Sequence, residues 1–172
     1  MGVSTDGILF YGFCWDEECN LLNPGEEKDE EKDEEKDEEE WAERIARRRG
    51  HDNPWDTFPK GIDDMPYPEQ RAQCDAWVEA HGPEIDRWRE VTAAITEEYD
   101  CDINYHCSGD YPMPYLYIAT SLITANRGYP KTVPALTVGD DWDARLKRFI
   151  TDLGVTPPEG QEPGWWLVSY WV

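Results

Sequence analysis

The sequence has little of what membrane-inserted, secreted or nucleic-acid-binding proteins need. No apolar run approaches the roughly 18 residues of a membrane span. The opening stretch MGVSTDGILFYGFCW has neither a basic flank nor a cleavage site, so we expect no secretory signal. Lysine and arginine number 16 against 38 acidic residues. We therefore expect a cytoplasmic protein that makes no contact with membranes.

Cysteine is also scarce, at five residues, and the odd count excludes a framework in which every thiol is paired. Without a secretory signal, the thiols are most simply interpreted as reduced. Histidine occurs only three times. A metal site or a nucleophile site therefore has few residues from which it could be built.

What the chain has in excess is negative charge. The formal net charge is −22 and the isoelectric point is about 4.3. Coulomb repulsion argues against direct binding to nucleic acid or to an anionic membrane. The charge favours a cationic partner, above all a basic protein surface, including one built to hold nucleic acid.

The densest negative charge lies in residues 26–40, which hold three lysines and twelve carboxylates. A helix over residues 23–50 is predicted, because Asn23 and Pro24 suit its start and Gly50 its end. As a helix, residues 26–40 would span roughly 22 Å at about 1.5 Å per residue. That is about one carboxylate per 1.9 Å, close to the ~1.7 Å per charge of duplex DNA. The carboxylates are those of Glu26, Glu27, Asp29, Glu30, Glu31, Asp33, Glu34, Glu35, Asp37, Glu38, Glu39 and Glu40.

Two interpretations of this acidic run stay open. Apolar residues appear only at its end, at Trp41, Ala42, Ile45 and Ala46, so the earlier part is polar on every side. It can be a solvated spacer that keeps the protein soluble. Alternatively, it is the working surface, a rod of carboxylates that a groove lined with Lys and Arg mistakes for nucleic acid.

Hydrophobic periodicity predicts an α+β fold, with a small antiparallel sheet of about four strands packed by about three helices, plus the protruding acidic helix. The strands are GILFYGFCW, CDINYHC, YLYIAT and GWWLVSYWV, the last expected in the sheet beside the first. The helices are residues 68–81, ended by Gly82, then 83–99 and 140–153. The predicted organisation is an N-terminal strand in 1–22, the acidic helical insertion in 23–50, and the remainder of the α+β domain in 51–172.

One group of residues could carry chemistry. Cys101, His106 and Cys107 are close in sequence, and Cys14 and Cys19 could join them if the strands are adjacent; zinc accepts such ligands. Their spacings differ from the two-residue gap of common zinc knuckles, and His106 points away from Cys107 on an ideal strand. A Cys–His nucleophile needs the same proximity. We favour buried structural thiols, with no cofactor, no metal and no catalytic residue, and keep the metal or enzymatic domain as the alternative.

Several stretches resemble a family of small uncharacterised proteins from bacteriophages and prophages: MGVSTDGILFYGF, YHCSGDYPMPYLYIA, RGYP at residues 127–130, and PGWWLVSYWV. The resemblance covers about half of the chain and implies no activity or site residue; the acidic run lies outside it. It implies a setting, since phage accessory proteins often act on host machinery and small acidic ones are frequent among inhibitors of restriction and CRISPR systems.

Charge and resemblance together predict a non-enzymatic inhibitor that blocks a basic, nucleic-acid-binding surface of a host defence complex by charge mimicry. The partner-binding residues would be the twelve carboxylates of residues 26–40. A phage structural or assembly factor is a further alternative.

Overall fold

In the computed structural model of the protein, residues 5–15, 21, 40–108 and 112–171 are described. The chain divides into two compact units. We call them the sheet unit, within Met1–Trp41 and Tyr99–Val172, and the helical unit, Ala42–Glu98. Helices and a mixed sheet are both present, so the predicted α+β class is confirmed.

The sheet is built around its first strand. The described strands are β1 (Thr5–Cys14), β2 (Cys101–Ser108), β3 (Pro112–Ile118), β4 (Ile123–Ala125) and β5 (Gly164–Trp171). Their order is β3-β2-β5-β1-β4, with β3 also paired to β1. β1 and β5 pair antiparallel over eight residues, from Thr5 opposite Trp171 to Gly12 opposite Gly164. The expectation that the aromatic C-terminal strand lies beside the first one is therefore confirmed.

The strand pairings close on themselves. β1 pairs with β3, β3 with β2, β2 with β5, and β5 with β1. The β2–β5 pairing is parallel, at Cys107–Tyr170 and Ser108–Trp171, and the others are antiparallel. Closure leaves few exposed strand edges and encloses side chains on one face.

The sequence pointed to about four antiparallel strands, whereas the described part of the chain has five and one parallel pair. The additional strand, β4, has only three residues, too short for a period of two to be visible. It continues along β1 after β3, beyond a 3-10 turn at Ala119–Ser121. In the gap between β3 and β4, the amide of Tyr11 donates to Ser121 Oγ at 2.9 Å.

Gly12 is where three strands come closest, since it pairs with β5 at Gly164 and with β3 at Tyr117. A Cβ atom at this position would lie 1.9 Å from the carbonyl oxygen of Leu116. Only a residue without a side chain permits this approach of β3 to β1.

Helix α3 (Trp142–Leu153) packs on β2 and β3. It buries Leu146, Phe149, Ile150 and Leu153, the spacing of an amphipathic helix. Gly154 ends it with φ 75°, its amide donating to Ile150 O at 2.9 Å, as the sequence predicted. Asp141 holds the N-cap position, but its carboxylate binds Arg145 at 2.5 Å instead of capping the backbone.

The helical unit contains most of α1 (Trp41–Arg48) and nearly all of α2 (Tyr67–Tyr99). In α1, Ala42, Ile45 and Ala46 are buried and Gly50 follows with φ 85°. Residues 41–48 of the predicted helix are therefore helical, but α1 begins at Trp41 and does not include Glu40. Residues 23–39, its larger part, lie outside the described residues.

The predicted helix end at Gly82 is wrong, because α2 runs without interruption through Gly82 and Pro83. Proline inside a helix removes one hydrogen bond and costs ~3 kcal/mol or more. The buried side chains keep one phase across it: Trp77 before, Ile85 and Trp88 after. Because both halves bury the same stripe, we infer that apolar burial offsets the cost of the proline.

Candidate functional site: the Cys14–His106 pair

One face of the sheet carries a cluster of buried aromatic rings. Phe10 stacks on Tyr115 with ring centroids 4.4 Å apart, and Tyr117 lies beside both rings. Cys14 belongs to this buried cluster, against which Ile8, Trp166 and Val168 pack. The cluster forms because residues two apart in a strand share a face.

The register of β2 against β3 adds polar side chains to the same face. Asp102 lies opposite Tyr117, Asn104 opposite Tyr115, and His106 opposite Met113. Residues directly opposite in an antiparallel pair project to the same side. Alternate residues of β2 therefore bring a carboxylate, an amide and an imidazole to the aromatic face.

At one end of this face, Cys14 and His106 are in contact. The Sγ atom of Cys14 lies 3.3 Å from Nε2 of His106, although the residues are 92 positions apart in sequence. The same Nε2 is 3.4 Å from the carbonyl oxygen of Trp15. Cys14 is 8% exposed and His106 is half-buried, so the pair is reached from solvent mainly through the imidazole.

The backbone beneath the thiol is held from two directions. The side-chain amide of Gln161 accepts from Cys14 N and donates to Cys14 O, both at 3.0 Å. The amide of Trp15 donates to Pro114 O at 3.1 Å. These bonds fix the position of Sγ relative to the imidazole.

Burial determines the charge state of His106. Desolvation lowers the pKa of His106 below its ordinary value of 6.5, against a smaller raising effect of the Trp15 carbonyl. His106 is therefore largely neutral at pH 7, with one ring nitrogen able to accept a proton. Burial, followed by the charges of Asp102 and Cys14, raises the pKa of the neighbouring Tyr115 to about 12. The imidazole beside the Cys14 thiol can therefore accept a proton.

Asp102 organises the middle of the face. Its carboxylate accepts from the Trp41 indole at 3.0 Å, from the amide of Ile103 at 2.8 Å and from the Tyr117 hydroxyl at 3.2 Å. Burial, then the charge of Asp102, raises the pKa of Tyr117 well above its usual range. The carboxylate is thus committed to positioning two aromatic side chains.

The alternative metal ligands predicted from sequence are not brought together. Cys101 and Cys107 lie six residues apart on β2, roughly 20 Å along an extended strand, too far for both thiols to bind one metal ion. Burial raises the pKa of the Cys101 thiol to about 12, so it stays protonated. Among the described residues, no three Cys, His, Asp or Glu side chains lie close enough to hold a metal ion.

The twelve carboxylates predicted to bind a partner lie outside the described residues, except Glu40. Glu40 is exposed and immediately precedes α1. The described residues on either side of the acidic run are anchored: Leu21 is buried, and the Trp41 indole packs edge-on against Phe149 at 4.8 Å.

No protein-family model, curated protein or solved structure matches this chain. Within the described residues, no helix combines the length and apolar character that crossing a bilayer requires.

Proposed function

We propose that the protein is a non-enzymatic, phage-derived inhibitor that acts in the cytoplasm of a bacterial host. Its target is a basic surface that a CRISPR or restriction complex uses to hold nucleic acid. The single observation that carries the proposal is the carboxylate density of residues 26–40, twelve in fifteen positions, within a chain of net charge −22. Such a density approaches that of duplex DNA, for which such surfaces are built.

The anchoring of the acidic run supports this proposal. The acidic run is internal to the chain: Leu21, which precedes it, is buried, and the indole of Trp41, which follows it, donates to Asp102. A tethered array loses less conformational entropy on binding than a free tail. A solubility device would not require anchoring at both ends.

Helix α2 offers a second, weaker acidic surface. It carries three arginines and eight exposed carboxylates, a net charge of 3 − 8 = −5. Some of these carboxylates are already paired, as in Glu98 with Arg49 at 2.7 Å and Asp86 with Arg89 at 3.5 Å. Paired carboxylates attract a partner less strongly, so we assign α2 a supporting role at most.

Purified CRISPR effectors and restriction enzymes, assayed for DNA cleavage, test the proposal. At least one complex should lose activity when the protein is added. Excess DNA that is added before the protein should prevent this loss, because both ligands compete for one surface. Full cleavage by every complex at saturating protein, together with capture of only neutral or acidic host proteins, would contradict the proposal.

A second candidate function rests on the 3.3 Å contact of Cys14 with His106. A neutral imidazole beside a thiol can take its proton as the sulfur attacks an electrophile. If the pair is a nucleophile, iodoacetamide should alkylate Cys14 in the folded protein about tenfold faster than in a His106→Gln variant. Cys101, buried and protonated, serves as the internal control. Equal rates for the two proteins would leave the pair a purely structural contact.

A further inference from the structure

The segment that follows β4, residues 126–139 (NRGYPKTVPALTVG), differs from the rest of the protein. We call it the arm. It contains Arg127 and Lys131 but no carboxylate, although 38 of the 172 residues are acidic. The remainder of the chain therefore carries −22 − 2 = −24. The arm is the part of this protein that a second acidic chain repels least.

The middle of the arm is fully exposed. Residues 130–138 have no secondary structure, are exposed throughout, and make no hydrogen bond to another described residue. Four apolar side chains project from it, Tyr129 (77% exposed), Val133 (51%), Leu136 and Val138. An apolar, β-branched segment with open backbone groups is a template for strand pairing.

The two prolines of the arm make its two edges unequal. In an extended chain, alternate residues direct their N–H and C=O groups to opposite edges. Pro130 and Pro134 are four apart and fall on the same edge, which lacks two donors. The other edge, formed by Lys131, Val133, Ala135 and Thr137, keeps every donor and acceptor. The arm can therefore accept one neighbouring strand, on one defined side.

We propose that this strand is the arm of a second copy of the chain, paired antiparallel about a two-fold axis. The competent edge is self-complementary, as a two-fold interface requires. Centring the pair on Val133, or between Val133 and Ala135, places Lys131 opposite Ala135 or Thr137 and never opposite the second Lys131. The two cations of each arm then face the acidic remainder of the other copy.

The charge of the chain determines how this association depends on salt. Two copies of net charge −22 repel each other, and added salt screens the repulsion without weakening apolar and backbone contacts. Self-association should therefore strengthen with salt. Binding of a basic partner weakens with salt, so the dimer and the proposed function succeed or fail separately.

Analytical ultracentrifugation of the full chain over a concentration series, at low and high salt, tests the proposal. We expect a monomer–dimer equilibrium that shifts toward dimer at high salt. Ala135→Pro removes a donor from the competent edge and should weaken the dimer about tenfold or more. The matched control, Thr132→Pro, places the same residue on the edge already blocked and should leave the dimer unchanged. Both positions are exposed, so neither substitution disturbs the core.

Residue-resolved amide exchange gives a second readout. In the dimer, the amides of Lys131, Val133, Ala135 and Thr137 should all exchange slowly, because an antiparallel pair bonds the donors of the paired edge. Those of Thr132, Leu136 and Val138 should stay unprotected. A monomer at every concentration and salt, equal effects of the two proline variants, or uniform protection along the arm would each overturn the proposal.

Discussion

The sheet unit and the helical unit bury their apolar side chains in different ways. In the sheet unit, distant segments meet: β1 contacts strands about 100 or more residues later. Phe10 packs with Tyr115 and Tyr117 because β1 and β3 are paired in one register. In the helical unit, the long helix α2 buries one stripe, including Trp77, Ile85 and Trp88, while exposing its carboxylates.

The two units also differ in the side-chain contacts that they contain. The sheet unit holds every thiol–imidazole, tyrosine–carboxylate and stacked-ring contact of the aromatic face. The exposed surface of α2 holds carboxylates in local pairs with arginines three or four residues away. Long-range register creates defined side-chain positions, whereas the ion pairs of a solvated helix face are exposed and weak.

The largest expected effect is loss of the sheet unit on deletion of residues 165–172. The deletion removes seven of the eight residue pairs that β5 makes with β1 and the packing of Trp166 and Val168. Losing a buried aromatic typically costs ~3–5 kcal/mol, against a total stability of about 5–15 kcal/mol for a domain. Near-ultraviolet circular dichroism of the truncated protein should show no fixed aromatic environment.

Leu167→Gln is the matched control for that deletion, since Leu167 belongs to β5 but is 76% exposed. Its thermal unfolding temperature should equal that of the wild-type protein. A cooperative transition at the wild-type temperature after the deletion would mean that β5 is peripheral and that the register of β1 is set elsewhere.

Glycine-to-alanine changes sharpen the comparison between the two units. Gly12→Ala places a methyl group 1.9 Å from Leu116 O and should destabilise the protein by about 1–3 kcal/mol or more. Gly7→Ala, in the same strand, meets only Ala125 O at 4.0 Å and should be nearly neutral. In α2, Gly82→Ala meets nothing within 4 Å and should stabilise by roughly 0.5–1 kcal/mol.

Urea denaturation of the three variants measures these free energies of unfolding. A Gly12→Ala variant as stable as the wild type would show that β3 does not approach β1 as closely as described.

A smaller effect concerns pH. Because the pKa of His106 is lower in the folded protein than the 6.5 of an unfolded chain, the unfolded state takes up its proton first as pH falls. The stabilisation by neutral His106 is complete above pH 6.5 and is lost as pH falls toward the folded pKa. His106→Gln should therefore flatten the stability profile below pH 6.5. Thermal melts of the variant and of the wild-type protein across this range provide the measurement; equal profiles for the two proteins would contradict a buried neutral His106.

Much of the sheet could be predicted from sequence, because it depends on local alternation. The aromatic runs at Thr5–Cys14 and Gly164–Trp171 have few alternatives to the sheet, and their pairing was expected. The prediction that a helix ends at Gly82 was wrong because glycine and proline are local signals. They give no information about the buried stripe of α2, which keeps the same phase on both sides of Gly82. β4 was missed because three residues carry no period.

The candidate site was harder to predict. The sequence predicts candidate metal ligands at Cys101, His106 and Cys107 because they are near one another along the chain. In a regular strand, however, a period of two places both thiols on the face opposite His106. The partner of His106 is Cys14, which reaches it only because β1, β3 and β2 are neighbours. The sequence predicts a role for Cys14 only if its strand lies next to that of His106. No local sequence pattern indicates whether the strands are neighbours.

The central claim is that residues 26–40 provide more than generic negative charge. The direct measurement is the affinity for the inhibited complex of two variants with the same net charge, −22 + 4 = −18. One changes Glu30, Glu31, Glu34 and Glu35 to Gln, within the acidic run. The other changes Glu69, Glu79, Glu84 and Glu90 to Gln, on the exposed surface of α2.

At low salt, where Coulomb attraction is strongest, the acidic-run variant should bind about tenfold or more weakly than the wild type. It should also show a shallower dependence of affinity on salt, while the α2 variant stays within a few-fold of the wild type. Equal affinities for the two variants and the wild type at low salt would contradict the claim and leave residues 26–40 a solvated spacer.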